Sequence, residues 1–319
     1  MAINLRRLLL SKEGSIFLVL ISLHVLAALF VDRYTSPSNI KLLLRAIPSL
    51  GILSIGVTVL MISGEFDLSI GSTFALAPMV SALCYDVGLN IWLCVIIALI
   101  IGAAVGLSNG LITVKTGMPS FIVTIGAMMF WRGIVLVVAD GRMVPFELEG
   151  FARFVFNDMI GWVSTQFIWF AVFTAILWIF LSKMRFGNWI FATGGNLKAA
   201  QAMGINTDLV KVTCFIIAGI MAAYAGIFDS ARVDIVNPLQ GEGIALTAIA
   251  AMVIGGTRLG GGVGTVLGTF FGASIMFTIQ DILMLMRVSA YLFQSFVGVV
   301  IILAAIGNQI AARGARKIW

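Results

Sequence analysis

The decapeptide Ser63-Gly-Glu-Phe-Asp-Leu-Ser-Ile-Gly-Ser72 places two carboxylates, Glu65 and Asp67, between two apolar segments long enough to enter a membrane. Ionisable side chains are costly beside hydrocarbon, so a chain that keeps them there uses them. A second apolar section is interrupted in the same way by Ile254-Gly-Gly-Thr-Arg-Leu-Gly-Gly-Gly-Val-Gly264. Irregular backbone leaves N–H and C=O groups without helical partners, and lipid supplies none. Both breaks must therefore sit inside protein or along a hydrated cavity, as the discontinuous helices of transporters do.

Composition extends this reading to the whole chain. Hydrophobic residues are 61% and charged residues 11% of the 319, against about 45–50% and about 25% in soluble domains. No stretch is polar enough to form a separate soluble domain. We read residues 1–319 as one all-α polytopic membrane domain of about ten transmembrane helices, broken or short around a translocation pathway. The apolar segments are 15–31, 46–63, 71–84, 91–114, 119–139, 165–182, 208–230, 243–256, 263–283 and 292–307. Those at 71–84 and 243–256 are short, and both adjoin the breaks. The first segment follows Arg6, Arg7 and Lys12 but is long for a cleaved signal, so it reads as a retained span.

Ten crossings put both termini on one side. With that side cytoplasmic, twelve Lys and Arg residues lie inside, Arg6, Arg7, Lys12 and Lys317 among them. Seven lie outside and Arg132 falls within a span, so the positive-inside rule supports this orientation. The acids gather at the opposite rim, with Asp281 read among them.

Two glycine stripes recur every four residues: Gly102, Gly106, Gly110, and Gly260, Gly264, Gly268, Gly272. Such spacing puts each set on one helix face, where helices can pack closely. The segment of about 183–207 is the longest polar-side connection. Within it Asn196 is an N-cap, Lys198 to Met203 favour helix, and Gly204 suits the C′ position. The result is a short helix outside the membrane with a small-residue face, Ala199, Ala200 and Ala202. That face either receives a partner or is simply a solvated connector.

Asp67 or Ser69 can cap the helix that follows them. Glu65 has no equally natural structural task, so a gating or pairing role fits it, with Arg258 in the second break a candidate partner. Cys84, Cys94 and Cys214 lack metal or redox spacing and read as small buried hydrophobes. The single histidine, His24, reads as a packed one. The sequence carries no G-x-x-x-x-G-K-[ST] phosphate loop, no H-E-x-x-H and no G-x-S-x-G. These absences speak against a membrane enzyme and against ATP bound by a phosphate loop of this chain.

Three ordered segments bear a family resemblance. Gly64-Glu-Phe-Asp-Leu-Ser-Ile-Gly-Ser72 resembles the Gly-x-x-Asp-Leu-Ser-x-Gly-Ser signature of ribose-type sugar permeases of ABC importers. Gly195-Asn-Leu-Lys-Ala-Ala-Gln-Ala-Met-Gly-Ile205 is similar to their inner loop, and Thr247-Ala-Ile-Ala-Ala-Met-Val-Ile-Gly-Gly-Thr257 to a further signature. Glu65 departs from the first pattern, where a small or apolar residue is expected. The resemblance implies a translocation subunit, homo- or heterodimeric with a second permease subunit. Its partners are a cytoplasmic ABC ATPase, which holds ATP and Mg, and an extracytoplasmic solute-binding protein. No cofactor and no nucleic acid are implied for this chain, which sits in the inner membrane bilayer. It also implies coupling to the ATPase through Asn196, Lys198, Ala199, Ala200 and Gly204. The pathway or gate then falls to Glu65, Asp67, Ser69, Ser72, Thr257 and Arg258. The implied solute is a monosaccharide, with a nucleoside, polyol or furanosyl signal molecule as the alternative. An ion-coupled secondary transporter, with Glu65 and Asp67 carrying protons, is the rival from another class.

Overall fold

In the computed structural model, which describes residues 12–316, each of the ten apolar segments forms a helix. Arg6, Arg7 and Lys317, counted toward the charge bias, lie outside the described residues. The chain runs through α1 (Lys12–Phe30), α2 (Pro37–Ile62), α3 (Ile70–Asp86), α4 (Ile91–Thr116) and α5 (Ser120–Val138). It then makes β1 (Val144–Pro145), α6 (Gly150–Asn157), β2 (Met159–Ile160) and β3 (Val163–Ser164). Next come α7 (Thr165–Lys183), α8 (Arg185–Gly195), α9 (Leu197–Ala202) and α10 (Thr207–Val233). The last elements are β4 (Ile235–Val236), α11 (Ile244–Ile254), α12 (Val266–Leu285) and α13 (Ala290–Arg316). Fold class is all-α and polytopic, with two-residue strands only at loop edges.

Seven of these helices, α1, α2, α4, α5, α7, α10 and α12, are long and apolar enough to cross a bilayer. The segment 243–256, expected to be short, is short in the structure. Helix α11 has 11 residues, about 16 Å at 1.5 Å per residue, which is half of a hydrocarbon core of about 30 Å. The loop 237–243 leads into it, and Gly71 at the start of α3 lies beside Gly241, so close that a Cβ on either would sit 2.6 Å from the other's carbonyl oxygen.

One end of the bundle carries both breaks, the α7–α8–α9 corner and the start of α10; we call it the break end. The opposite end holds the β2–β3 hairpin and the β1–β4 pair, in which Val144 faces Val236. Helix α2 is the core. Over its most apolar window it is 83% buried, against 17% for α1 and α5, so those two lie at the periphery.

Two prolines test how such helices stay satisfied. Pro48 in α2 and Pro78 in α3 lack an N–H, which frees the carbonyl four residues earlier. The freed Leu44 carbonyl accepts from Ser164 Oγ, and the freed Phe74 carbonyl accepts from Gln240 Nε2 at 3.0 Å. Each orphan is met by a side chain from a neighbouring element, as an apolar medium requires.

The stripe Gly102, Gly106, Gly110 lies against α10. A Cβ at Gly102 would fall 2.4 Å from Gly219 O, one at Gly106 2.3 Å from Phe215 O, and one at Gly110 3.0 Å from Val212 Cα. Helices α4 and α10 thus touch backbone to backbone. The second stripe departs from the expected single face. Helix α12 begins only at Val266, so Gly260 and Gly264 belong to the break; Gly268 and Gly272 alone pack as a helix face, against α11. The reason is local: Gly261 and Gly262 adopt φ of +77° and +70°, which ends any helical register upstream.

Asp281 is another departure, being buried in α12 rather than at a solvated rim. Asn39 Nδ2 donates to it at 2.9 Å and to the Tyr34 carbonyl at 3.1 Å. Burial, and then the nearby Asp281 charge, push the Tyr34 hydroxyl up to about 12. That hydroxyl also meets His24 Nδ1, which makes the single histidine a packed one.

Gly106→Leu is expected to lower stability by about 3 kcal/mol or more, because a side chain has no space between the two backbones. Thermal unfolding in detergent checks this. Gly133→Leu on α5 is the control, since a Cβ there meets nothing within 4 Å.

Candidate functional site

The break end is built from three backbone segments that touch one another. Helix α2 ends at Ile62, and its last carbonyls need partners. Gly262 N–H donates to Ile62 O at 2.9 Å, so the second break satisfies the end of α2. Gly194, near the end of α8, lies against the same carbonyl; a Cβ there would fall 1.9 Å from Ile62 O. Gly261 closes the junction, its Cβ position 2.8 Å from Gly64 Cα. Gly64 itself turns the chain out of α2 at φ +91°. Any side chain at Gly194 would force these strands apart.

The first break continues with Asp67, which is 2% exposed. Its carboxylate accepts from Ser69 N–H at 2.8 Å, Ser69 Oγ at 2.6 Å and Asn109 Nδ2 at 3.3 Å. Asn109 Nδ2 also donates to Ser69 Oγ at 2.7 Å, closing a triangle. This is an Asx turn that orients the first turn of α3, supported from α4. Phe66 N–H donates to Ser120 Oγ at 3.0 Å and Ser72 Oγ to Met128 O at 2.7 Å, which ties the same segment to α5.

Glu65 does not meet Arg258. Its Oε1 lies 2.5 Å from Lys211 Nζ on α10, with side-chain exposures of 11% and 18%. Arg258 is exposed, and its N–H donates to Val263 O at 2.9 Å across the turn of the second break. Thr257 is buried beside Gly264, whose Cβ position lies 2.9 Å from Thr257 Cγ2. Of the residues expected along the pathway, Glu65, Asp67, Ser69, Ser72 and Thr257 are thus buried in the protein, and Arg258 is exposed.

The polar corner holds two helices where the sequence suggested one. Helix α8 contains Gly187, Asn188, Gly194 and Gly195, poor helix formers that hide it. Asn196 caps α9 by accepting from Ala199 N–H at 3.1 Å, and Gly204 follows at φ +79°. The small face is divided. Ala200 is buried against the protein, while Lys198, Ala199 and Ala202 are exposed, next to Met203 at 82% exposure. Ala200 therefore cannot meet a partner directly. Gln201 Nε2 donates to Thr207 Oγ1 at 3.1 Å, joining α9 to the start of α10.

Arg132 is the charge left within a span. Its Nη1 donates to Pro238 O at 2.6 Å and Gln240 O at 3.0 Å, and its Nη2 to Gly71 O at 3.1 Å. One guanidinium pins the loop before α11 to the start of α3. Asn109, Lys211 and Gln240 make contacts at the breaks and at the freed carbonyl of α3 that the motifs did not reveal. Periodicity could have found two of them. Asn109 shares the buried stripe of Gly102, Gly106 and Thr113, and Lys211 that of Thr207, Cys214 and Ala218. A lysine on such a stripe requires an acid partner.

Asp67→Ala removes one acceptor and strands buried donors, at about 1–3 kcal/mol for each unsatisfied group. The expected outcome is a clearly lower melting temperature, with Asn109→Ala showing a smaller drop. Equal melting of Asp67→Ala and the parent would sink this account of the break.

Known families supply the context for this geometry. Residues 39–305 match a family described as branched-chain amino acid transport system / permease component. The ribose import permease of Escherichia coli (strain K12) is 33% identical over 301 residues, covering 93% of each chain. The autoinducer 2 import system permease of Yersinia pestis (strain Pestoides F) is 29% identical over 297 residues, covering 92% of this chain and 83% of its own. No solved structure matches the chain. A multi-pass helical bundle with two glycine-built breaks and a match over most of its length belongs to this family of transport-system permease components.

Proposed function

We propose that the chain is the translocation subunit of an ATP-driven ABC importer that passes a monosaccharide or a closely related sugar-like solute into the cytoplasm. The observation that carries this reading is the glycine junction. It places the corner α8–α9 in backbone contact with both breaks, so a force applied to α9 reaches the helices around the pathway without a flexible side chain between. The sugar class comes from similarity to import permeases for ribose and autoinducer 2.

In this reading the break end faces the cytoplasm. Lys115, Lys183, Arg185, Lys198 and Arg258 are exposed there, in keeping with the positive-inside rule. Both termini share that side in the inner membrane. A second permease subunit completes the pathway, and a separate ATPase binds ATP and Mg. That ATPase seats on Lys198, Ala199, Ala202 and Met203, with Asn196 and Gly204 fixing the helix and Ala200 anchoring it. A binding protein delivers the solute to the opposite end. Both acids of the first break are already engaged, Glu65 by Lys211 and Asp67 by Ser69 and Asn109. This favours ATP-driven over proton-coupled transport.

Ala199→Trp puts bulk on the exposed side of α9. We expect a folded protein in which hydrolysis by the assembled complex no longer responds to loaded binding protein. Ala200→Trp, on the buried side, is expected to fail in folding instead. Normal stimulated hydrolysis and uptake in Ala199→Trp, or uptake driven by an ion gradient alone, would defeat the reading.

A further inference from the structure

We propose that Glu65 and Lys211 form a latch that holds the break end closed and parts when the α9–α10 corner is moved; the proposal rests on the transport reading above. The two side chains join elements that reach α9 by different routes. Lys211 sits near the start of α10, which continues from α9 and is bonded to it through Gln201 and Thr207. Glu65 follows Gly64, which is packed on Gly261 and faces Gly194 at 3.5 Å from its Cβ position. Corner, α10, ion pair, first break and glycine junction therefore make a closed ring.

Within that ring most links resist opening. The route from α9 to α10 is covalent, and the glycine junction is a steric fit of backbones with the 2.9 Å bond from Gly262 N–H to Ile62 O. The ion pair is different. It joins two long side chains whose charges can each be hydrated once separated. At 11% and 18% exposure the pair is screened little while closed, and its attraction falls steeply when water raises the local dielectric. Parting the two segments admits that water, so the pair stabilises the closed state and yields little resistance once open. Such a contact biases a two-state element.

A purely structural role is a poor account of the pair. The Glu65 backbone closes α2 through its N–H to Leu60 O, a bond that any non-proline residue can make. Apolar residues in place of a partly buried ion pair are often as stabilising or more so. Stability alone therefore does not account for the pair.

The test uses the assembled complex of this chain with its ATPase and binding protein. Hydrolysis is measured without and with sugar-loaded binding protein, for the parent, Glu65→Gln, Lys211→Gln and the double variant. We expect hydrolysis without binding protein to rise about fivefold or more in each single variant, the lower range of allosteric coupling. The double variant should rise no further, because either change opens the same latch. Its melting temperature should recover toward the parent, since neither unpaired charge remains, while its unstimulated hydrolysis stays high. A structural staple would show the reverse, melting shifts with unaltered basal hydrolysis. Parental basal hydrolysis in the double variant, or additive rises in the cycle, overturns the latch while leaving transport intact. Absence of any stimulation in the parent overturns the transport reading and the latch with it.

Discussion

The carbonyl of Ile62 is the point on which the break end depends. It ends a helix that is the core of the bundle, and it has to be satisfied where no water is guaranteed. Gly262 N–H meets it, and Gly194 lies against it with no space for a side chain. That one requirement explains why three glycine-bearing segments, far apart in sequence, occur together. Protein interiors packed this closely have low compressibility and transmit strain. A corner fixed to such a junction cannot move without moving the ends of α2 and α12.

The rest of the interior obeys the same rule of satisfied backbone. Pro48 and Pro78 free carbonyls, and Ser164 and Gln240 answer them. The loop before α11 offers carbonyls of Pro238 and Gln240, and Arg132 answers those together with Gly71. Asp67 converts the irregular turn before α3 into a bonded one with Ser69 and Asn109. Departures from regular helix are thus paired with polar side chains from other elements. The two breaks are thereby tied to the helices around them.

How much of this was legible in the sequence follows from the range of each signal. Apolar segments, the breaks at Gly64 and Gly256–Gly262, and the cap pair Asn196 and Gly204 are local patterns, and local physics places them. The glycine stripe on α4 could be read for the same reason. The extent of the second stripe could not, because it depends on where α12 begins, and Gly260 and Gly264 fall in the break upstream of Val266. Helix α8 was hidden by its glycines, which are there for the approach to Leu181 and Ile62 rather than for helix propensity. Lys211 escaped for another reason. Glu65 pairs not with Arg258 of the other break but with a helix that carries no motif of its own.

The distribution of charge gives the last step. A membrane span tolerates an ionisable group when its charge is compensated locally. Here Glu65 has Lys211, Asp67 has the donors of Ser69 and Asn109, and Arg132 has carbonyls of Gly71, Pro238 and Gln240. Each of these groups is engaged with the structure around the breaks. The sugar-like solute proposed above carries no net charge and needs no counter-charge from these groups.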